Sequence, residues 1–161
     1  MNREELLAII EKNSRIGLSD LAAMVGEEEK DVLAELENLE KEGIICGYHT
    51  LIDWEKTSIE KVTALIEVRV TPKRGRGFDE IAERIYNYPE VYAVYLISGG
   101  FDLLVILEEK SLREISNFVS DKLSTLDAVL STGTHFILKK YKDHGTILSK
   151  KPQDEREIIL P

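Results

Sequence analysis

A single cysteine in 161 residues excludes an internal disulfide, and Cys46 has no neighbouring base in sequence to make it a nucleophile. That usage fits a reducing compartment. No apolar run approaches the length of a membrane span, and "MNREELLAII" puts acids where a secretory leader needs bases. The expectation is a soluble, cytoplasmic protein with no membrane contact. Histidines are scarce and scattered (His49, His135, His144), with no carboxylate pair at ligand spacing, so no metal site is expected. A phosphate-cradling G-x-x-x-x-G-K loop is also missing. Catalytic residues and cofactors are therefore expected to be absent. The last scarcity is regional. Residues 1–60 hold 15 Asp/Glu against 6 Lys/Arg and carry the whole net charge of −9, while the remainder balances at 15 of each.

What is present is periodic, and 43% hydrophobic content indicates a folded chain. Leu6, Leu7, Ile9 and Ile10 predict a first amphipathic helix. "LSDLAAMVG" (Leu18–Gly26) predicts a second, with Ser19 as its N-cap and Gly26 as its stop. "EEEKDVLAELENLEKEG" (Glu27–Gly43) predicts a third, with Val32, Leu33, Leu36 and Leu39 on one stripe and Gly43 at its end. Two helices joined by a tight turn point to a unit that reads DNA. "IICGYHTLID" (Ile44–Asp53) reads as two short strands forming a wing, and Trp54–Glu60 as a linker.

From Lys61 the apolar period changes to two. "KVTALIEVRVT" predicts a strand, "PKRGRG" a loop and "FDEIAERIYNY" a helix broken by Pro89. "EVYAVYLISG" and "FDLLVILEE" follow as strands around a glycine pair. "SLREISNFVSDKLSTL" (Ser111–Leu126) predicts a second helix capped by Ser111, and "VLSTGTHFILKKYK" a last strand. The order β-α-β-β-α-β is ferredoxin-like. The fold class is thus α+β: a winged helix-turn-helix over residues 1–53, a linker over 54–60, a ferredoxin-like domain over 61–142 and a polar tail over 143–161. The "EIIL" of that tail is expected to add an edge strand or pack on a partner.

In this order, "LEKEGIICGY" (Leu39–Tyr48), "PEVYAVYLISGGFDLLVIL" (Pro89–Leu107) and "STLDAVLSTGTHFILK" (Ser124–Lys139) resemble the Lrp/AsnC, or feast/famine, family of transcription regulators. The likeness covers about residues 2–142. It implies a homodimer that assembles further into tetramers or octamers, helix-turn-helix units that meet promoter double-stranded DNA, and a small effector, commonly an amino acid, bound between sheet domains.

Two residue sets follow. For DNA they are Ser19, Lys30, Asp31, Ala34, Glu35 and Asn38, since such units place the second helix of the motif in the major groove. Asn can pair with adenine and Glu can accept from cytosine. For the effector they are Gly99, Gly100, Phe101 and Asp102, with Thr132 and Thr134 on the facing strand segment. Exposed glycine amides suit a carboxylate, and an aspartate suits an ammonium. A plain structural reading stands beside this one: Gly-Gly is a favoured hairpin turn, and Asp often bonds turn backbone. Lys73, Arg74 and Arg76, and the C-terminal lysines, read as solvated charge. The eight acids of the third helix leave open a scaffold that keeps its ligand site but has weakened or lost DNA binding, because phosphate neutralisation by Lys/Arg supplies much of the affinity. An enzyme on the same scaffold is a third reading, and no cluster asks for one.

Overall fold

Residues 2–71 and 77–149 are described by the computed structural model, which divides between Leu51 and Ile52 into two units. In the first unit, Asn2 caps α1 (Arg3–Lys12), its side-chain oxygen accepting from the N–H groups of Glu4 and Glu5. Next come α2 (Leu18–Val25) and α3 (Glu29–Lys41). Gly26 closes α2 at φ +71°, a left-handed conformation that a side chain would strain. Leu6, Ile10, Leu21, Ala22, Val32 and Leu39 form the core of this unit.

Three expectations for this unit are corrected. The N-cap of α2 is Gly17, whose carbonyl accepts from Leu21 N–H, and Ser19 lies inside the first turn. Leu33 is 47% exposed, because 100° per residue carries it a quarter turn away from Val32; the buried stripe is Val32, Leu36 and Leu39. Residues 44–53 form no strand. The N–H groups of Ile44 and Ile45 both donate to the Leu39 carbonyl at the end of α3, and a lone two-stranded hairpin is marginal in any case.

The second unit opens on a short 3₁₀ turn (Trp54–Lys56) and continues β1 (Val62–Val70), α4 (Asp79–Tyr86), β2 (Val91–Leu96), β3 (Leu103–Glu109), α5 (Leu112–Phe118) and β4 (Val129–Phe136). The sheet is antiparallel in the order β2-β3-β1-β4, with Ile66 opposite Val105 on one side and Thr134 on the other. Alternation sends Ala64, Ile66, Val68 and Val70 of β1, and Leu103, Val105 and Leu107 of β3, into one core with Ile81, Ile85, Ile115, Phe118 and Leu123 of the helices. Ser111 caps α5 as expected, accepting from Glu114 N–H. The sequence predicts a helix continuous to Leu126. It instead widens into a π turn over Val119–Leu123, where Ser120 Oγ donates back to the carbonyls of Ser116 and Asn117.

The last strand ends at Phe136, short of the expected Lys142. Beyond it, β5 (Lys142–Asp143) and β6 (Thr146–Ile147) form a small hairpin within what was read as a polar tail. His144 (φ 44°) and Gly145 (φ 76°) supply its two positive-φ turn positions. Pro72–Arg76 and the terminal "EIIL" lie outside the described residues.

Candidate functional site

Helix α3 and the residues flanking it, 27–42 in all, carry most of the acids of the first unit, and these are not spread evenly round it. Taking Val32 and Leu39 as the buried direction, 100° per residue points Lys30, Ala34, Glu37, Asn38 and Lys41 outward. All five are exposed, as are Ser19 on α2 and Asp31. Glu35 points elsewhere. Its side chain is only 16% exposed and lies 2.5 Å from Arg3 Nε of α1, an ion pair without good hydrogen-bond alignment. Glu42 takes the other side of the same guanidinium as a two-point fork, 3.0 Å from Nη1 and 3.2 Å from Nη2. The Glu42 hydrogen bonds, then the Glu35 charge, hold Arg3 even more firmly protonated than usual. Glu40 accepts from Tyr48 OH at 2.8 Å, and Glu28 pairs with Lys30 at 2.7 Å. The sequence offers Arg3, with Lys12, Arg15 and Lys30, as a base that could flank the DNA backbone, but its pairing with Glu35 and Glu42 is not readable there, and Lys41 is missed. Lys41 is detectable from the 4-3-4 spacing of residues 30, 34, 37 and 41; the Arg3–Glu35 pair spans 32 residues and carries no local signal.

At one end of the sheet, Ile97 N–H donates to Asp102 O at 2.8 Å and closes a loop whose tip, Ser98–Gly100, is exposed. This is not the two-residue Gly-Gly turn of the plain reading: neither glycine has positive φ. A Cβ on Gly100 would meet nothing within 4 Å, and one on Gly99 only Ile97 at 3.7 Å. The fold itself does not ask for glycine at these two positions. Phe101 is half-buried.

Besides closing the loop through its carbonyl, Asp102 ties to strand β1, and its side chain bonds β1 rather than the turn. Its N–H donates to Val68 O at 3.1 Å, and its Oδ2 accepts from Val70 N–H at 2.9 Å, where the β1–β4 register slips. Thr132 sits opposite Val68, and Thr134 opposite Ile66 one pleat further in. Two strand spacings, about 10 Å, separate the β3 and β4 sides of β1. The structure therefore brings Gly99–Asp102 and Thr132 to the same sheet end and leaves Thr134 deeper. Asp102→Ala is expected to cost the sheet unit about 1–3 kcal/mol, the penalty of an unpaired, partly buried N–H. Gly100→Ala should leave stability within about 0.5 kcal/mol. Thermal unfolding of the two variants checks the contrast.

With this geometry in place, comparison with known proteins becomes decisive. Residues 63–147 match the Lrp/AsnC ligand binding domain. The chain belongs to the Lrp/AsnC family of transcription regulators. An HTH-type transcriptional regulator of Bacillus subtilis, YugG, is 50% identical over 158 residues, covering 98% of this chain and 95% of that protein. The proline dehydrogenase transcriptional activator of Rhodobacter capsulatus is 29% identical over 127 residues, covering 79% and 82%. The crystal structure of a Neisseria meningitidis transcriptional regulator in complex with L-Met shares the fold, with a TM-score of 0.71 at 23% identity, covering 91% of this chain and 96% of that one. In this Lrp/AsnC chain, the family match begins one residue after the start of β1 and ends with β6, so the hairpin around His144–Gly145 falls inside it. Among the described residues, no helix is long and apolar enough to cross a membrane.

Proposed function

We propose that this chain regulates promoters in the cytoplasm by binding rather than by catalysis: residues 1–53 bind DNA through α3, and residues 61–142 sense a small effector and assemble the oligomer. The observation that carries the DNA reading is the division of charge around α3. Glu35 and Glu42 are occupied by Arg3 and Glu40 is engaged by Tyr48, while Lys30, Ala34, Asn38 and Lys41 face outward with a single acid among them, Glu37, and Lys30 paired only with the exposed Glu28. Lys30 and Lys41 then meet phosphates, Asn38 reads a base edge and Ala34 allows close approach, with Ser19 and Asp31 at the margin. Glu35 drops out of the contact set.

For the effector, Gly99 and Gly100 are exposed and offer backbone amides without a side chain of their own to cover them, with Phe101, Asp102, Thr132 and Thr134 beside or behind them. An amino acid is the first class to titrate, given that a relative of this fold was solved with L-Met. For assembly, the sheet face opposite α4 and α5 presents Leu65, Leu104 and Ile106, all incompletely covered, between Glu67 and Tyr95. A half-covered apolar sheet face suits a second copy of the chain, as the first step towards tetramers or octamers.

One observation favours a second reading: the net −9 over residues 1–60 suits a sensing or protein-interaction module that has given up DNA. A mobility-shift titration with the protein's own upstream DNA separates the two. The regulator reading predicts a shift that weakens steeply with salt. An intact oligomer that shifts no DNA even at low salt would overturn it.

A further inference from the structure

Strand alternation turns Thr63, Leu65, Glu67 and Arg69 of β1 away from α4 and α5, together with Leu104, Ile106 and Glu108 of β3 and Ser131, Gly133 and His135 of β4. One end of this face is already covered. Trp54 and Ile59, on the approach to β1, share a cavity of about 370 Å³ with Thr63, Glu108 and Ile137. Thr63 is buried there, and Glu108 is held by Lys61 at 2.7 Å. The rest of the face is open: Leu65, Glu67, Leu104 and Ile106 are only half-buried, and Arg69 and His135 are exposed.

A titratable pair sits in this open part. His135 Nε2 lies 3.3 Å from Glu67 Oε1, the only ion pair of Glu67 among the described residues. Gly133, opposite Glu67, puts no side chain over the pair; a Cβ there would stand 3.7 Å from Glu67 Oε2 and 3.8 Å from His135 Nε2. In the single chain both side chains meet solvent, 61% exposed for His135 and 43% for Glu67. β4 is an edge strand, so β1 is the one strand beside His135, and the residue directly opposite is the apolar Leu65. The other ionisable groups of the face are Arg69, opposite Ser131; Glu108, engaged by Lys61; and Tyr95, across β3 from Glu67.

An exposed pair of this kind contributes little. A second copy laid on the face changes its setting by removing the water that solvates the Glu67 carboxylate. A covered carboxylate needs a neutralising partner, and His135 is a cation only when protonated, ordinarily below about pH 6.5. We infer that His135 and Glu67 make the pairing of two sheet units pH-dependent, tighter when His135 carries its second proton. This rests on the assembly reading given above. Covering the pair raises the His135 pKa in the dimer over its value in the single chain. The added affinity is therefore complete below the single-chain value and is lost as pH rises through the dimer value. Glu67 itself takes a proton only at about pH 4, below that window.

Full-length protein labelled at its sole cysteine, Cys46 of the N-terminal unit, is followed by sedimentation with fluorescence detection. A fixed low urea concentration brings the monomer–dimer step into range. The wild-type dissociation constant should rise about tenfold or more between about pH 5.5 and about pH 8. His49 and His144 titrate in the same range, so variants assign the effect. In His135→Gln the change should stay within about threefold. In Glu67→Gln the slope should vanish or reverse, because a protonated His135 is then covered without its partner. A dimer whose constant does not vary with pH in the wild type, or a wild-type slope kept in either variant, would overturn the switch and leave the assembly reading standing. A single chain at every pH, without urea and at micromolar concentration, would overturn both.

Discussion

Leu39→Ala is expected to unfold the N-terminal unit and leave the sheet unit standing. Leu39 is completely buried and belongs to a core of six side chains in a unit of about fifty residues. Truncating a buried leucine costs about 2–5 kcal/mol, from lost transfer energy and from the cavity left behind. Core packing in a unit this size supplies only about 3–5 kcal/mol in total, so the substitution removes most of the margin. Helical circular dichroism should fall and DNA binding should vanish, while Trp54 fluorescence and the sheet unit's thermal transition stay as in the wild type. Leu33→Ala is the internal control. Its side chain is 47% exposed, so the loss should stay below about 1 kcal/mol although the residue type and the helix are the same. Equal effects at the two positions would mean that the stripe assignment is wrong.

That contrast also shows where the sequence was readable. The period-3.6 stripe located α3, and Gly43 marked its end, since both are properties of consecutive residues. Whether Leu33 belonged to the stripe depended on which neighbour α3 packs against, and the apolar pattern alone accepted it. Strand β1 was legible for the same local reason: alternation over Val62–Val70 fixes which side chains face the core. The absent wing and the π turn after Phe118 were not legible. They follow from hydrogen-bond competition, with the Leu39 carbonyl taking two amides and Ser120 reaching back to Ser116, against an apolar pattern that allowed a strand or a regular helix. The His144–Gly145 turn carries only a short local signal, a glycine after Asp143-His144. The polar residues around it give no alternation that would mark the two short strands.

The candidate site was half legible, and distance along the chain explains which half. "SGGFD" stands out as a cluster, and its first three residues form an exposed loop tip with Phe101 and Asp102 partly buried behind it. The role of Asp102 was not readable, because the donor it satisfies, Val70 N–H, lies 32 residues away. The cavity beside Trp54 could not be anticipated either. It joins residues around 54–62, 108 and 137–148, and only the closing of the sheet brings them together.

The remaining large effect concerns a residue outside any groove-facing helix. Arg3→Glu should weaken DNA binding on the order of tenfold or more at low ionic strength without touching the reading face. In the native unit the Arg3 guanidinium offsets Glu35 and Glu42 together, on the flank of α3. Reversing its sign leaves three carboxylates clustered on that flank, near the phosphates that the proposed contact set assigns to Lys30 and Lys41. Such repulsion acts over about 30 Å at 0.01 M salt but only about 8 Å at 0.15 M. The deficit relative to wild type should therefore shrink as salt rises, a signature that lost packing would not give. Adding Glu35→Gln and Glu42→Gln to the same chain removes the repulsion and should restore most of the affinity. Mobility-shift titrations of the wild type, the single variant and the triple variant at several salt concentrations provide the measurement. A deficit that does not vary with salt and is not rescued would assign Arg3 to helix packing alone. The α3 acids would then weigh against DNA unopposed, which favours the sensing module that no longer binds a promoter.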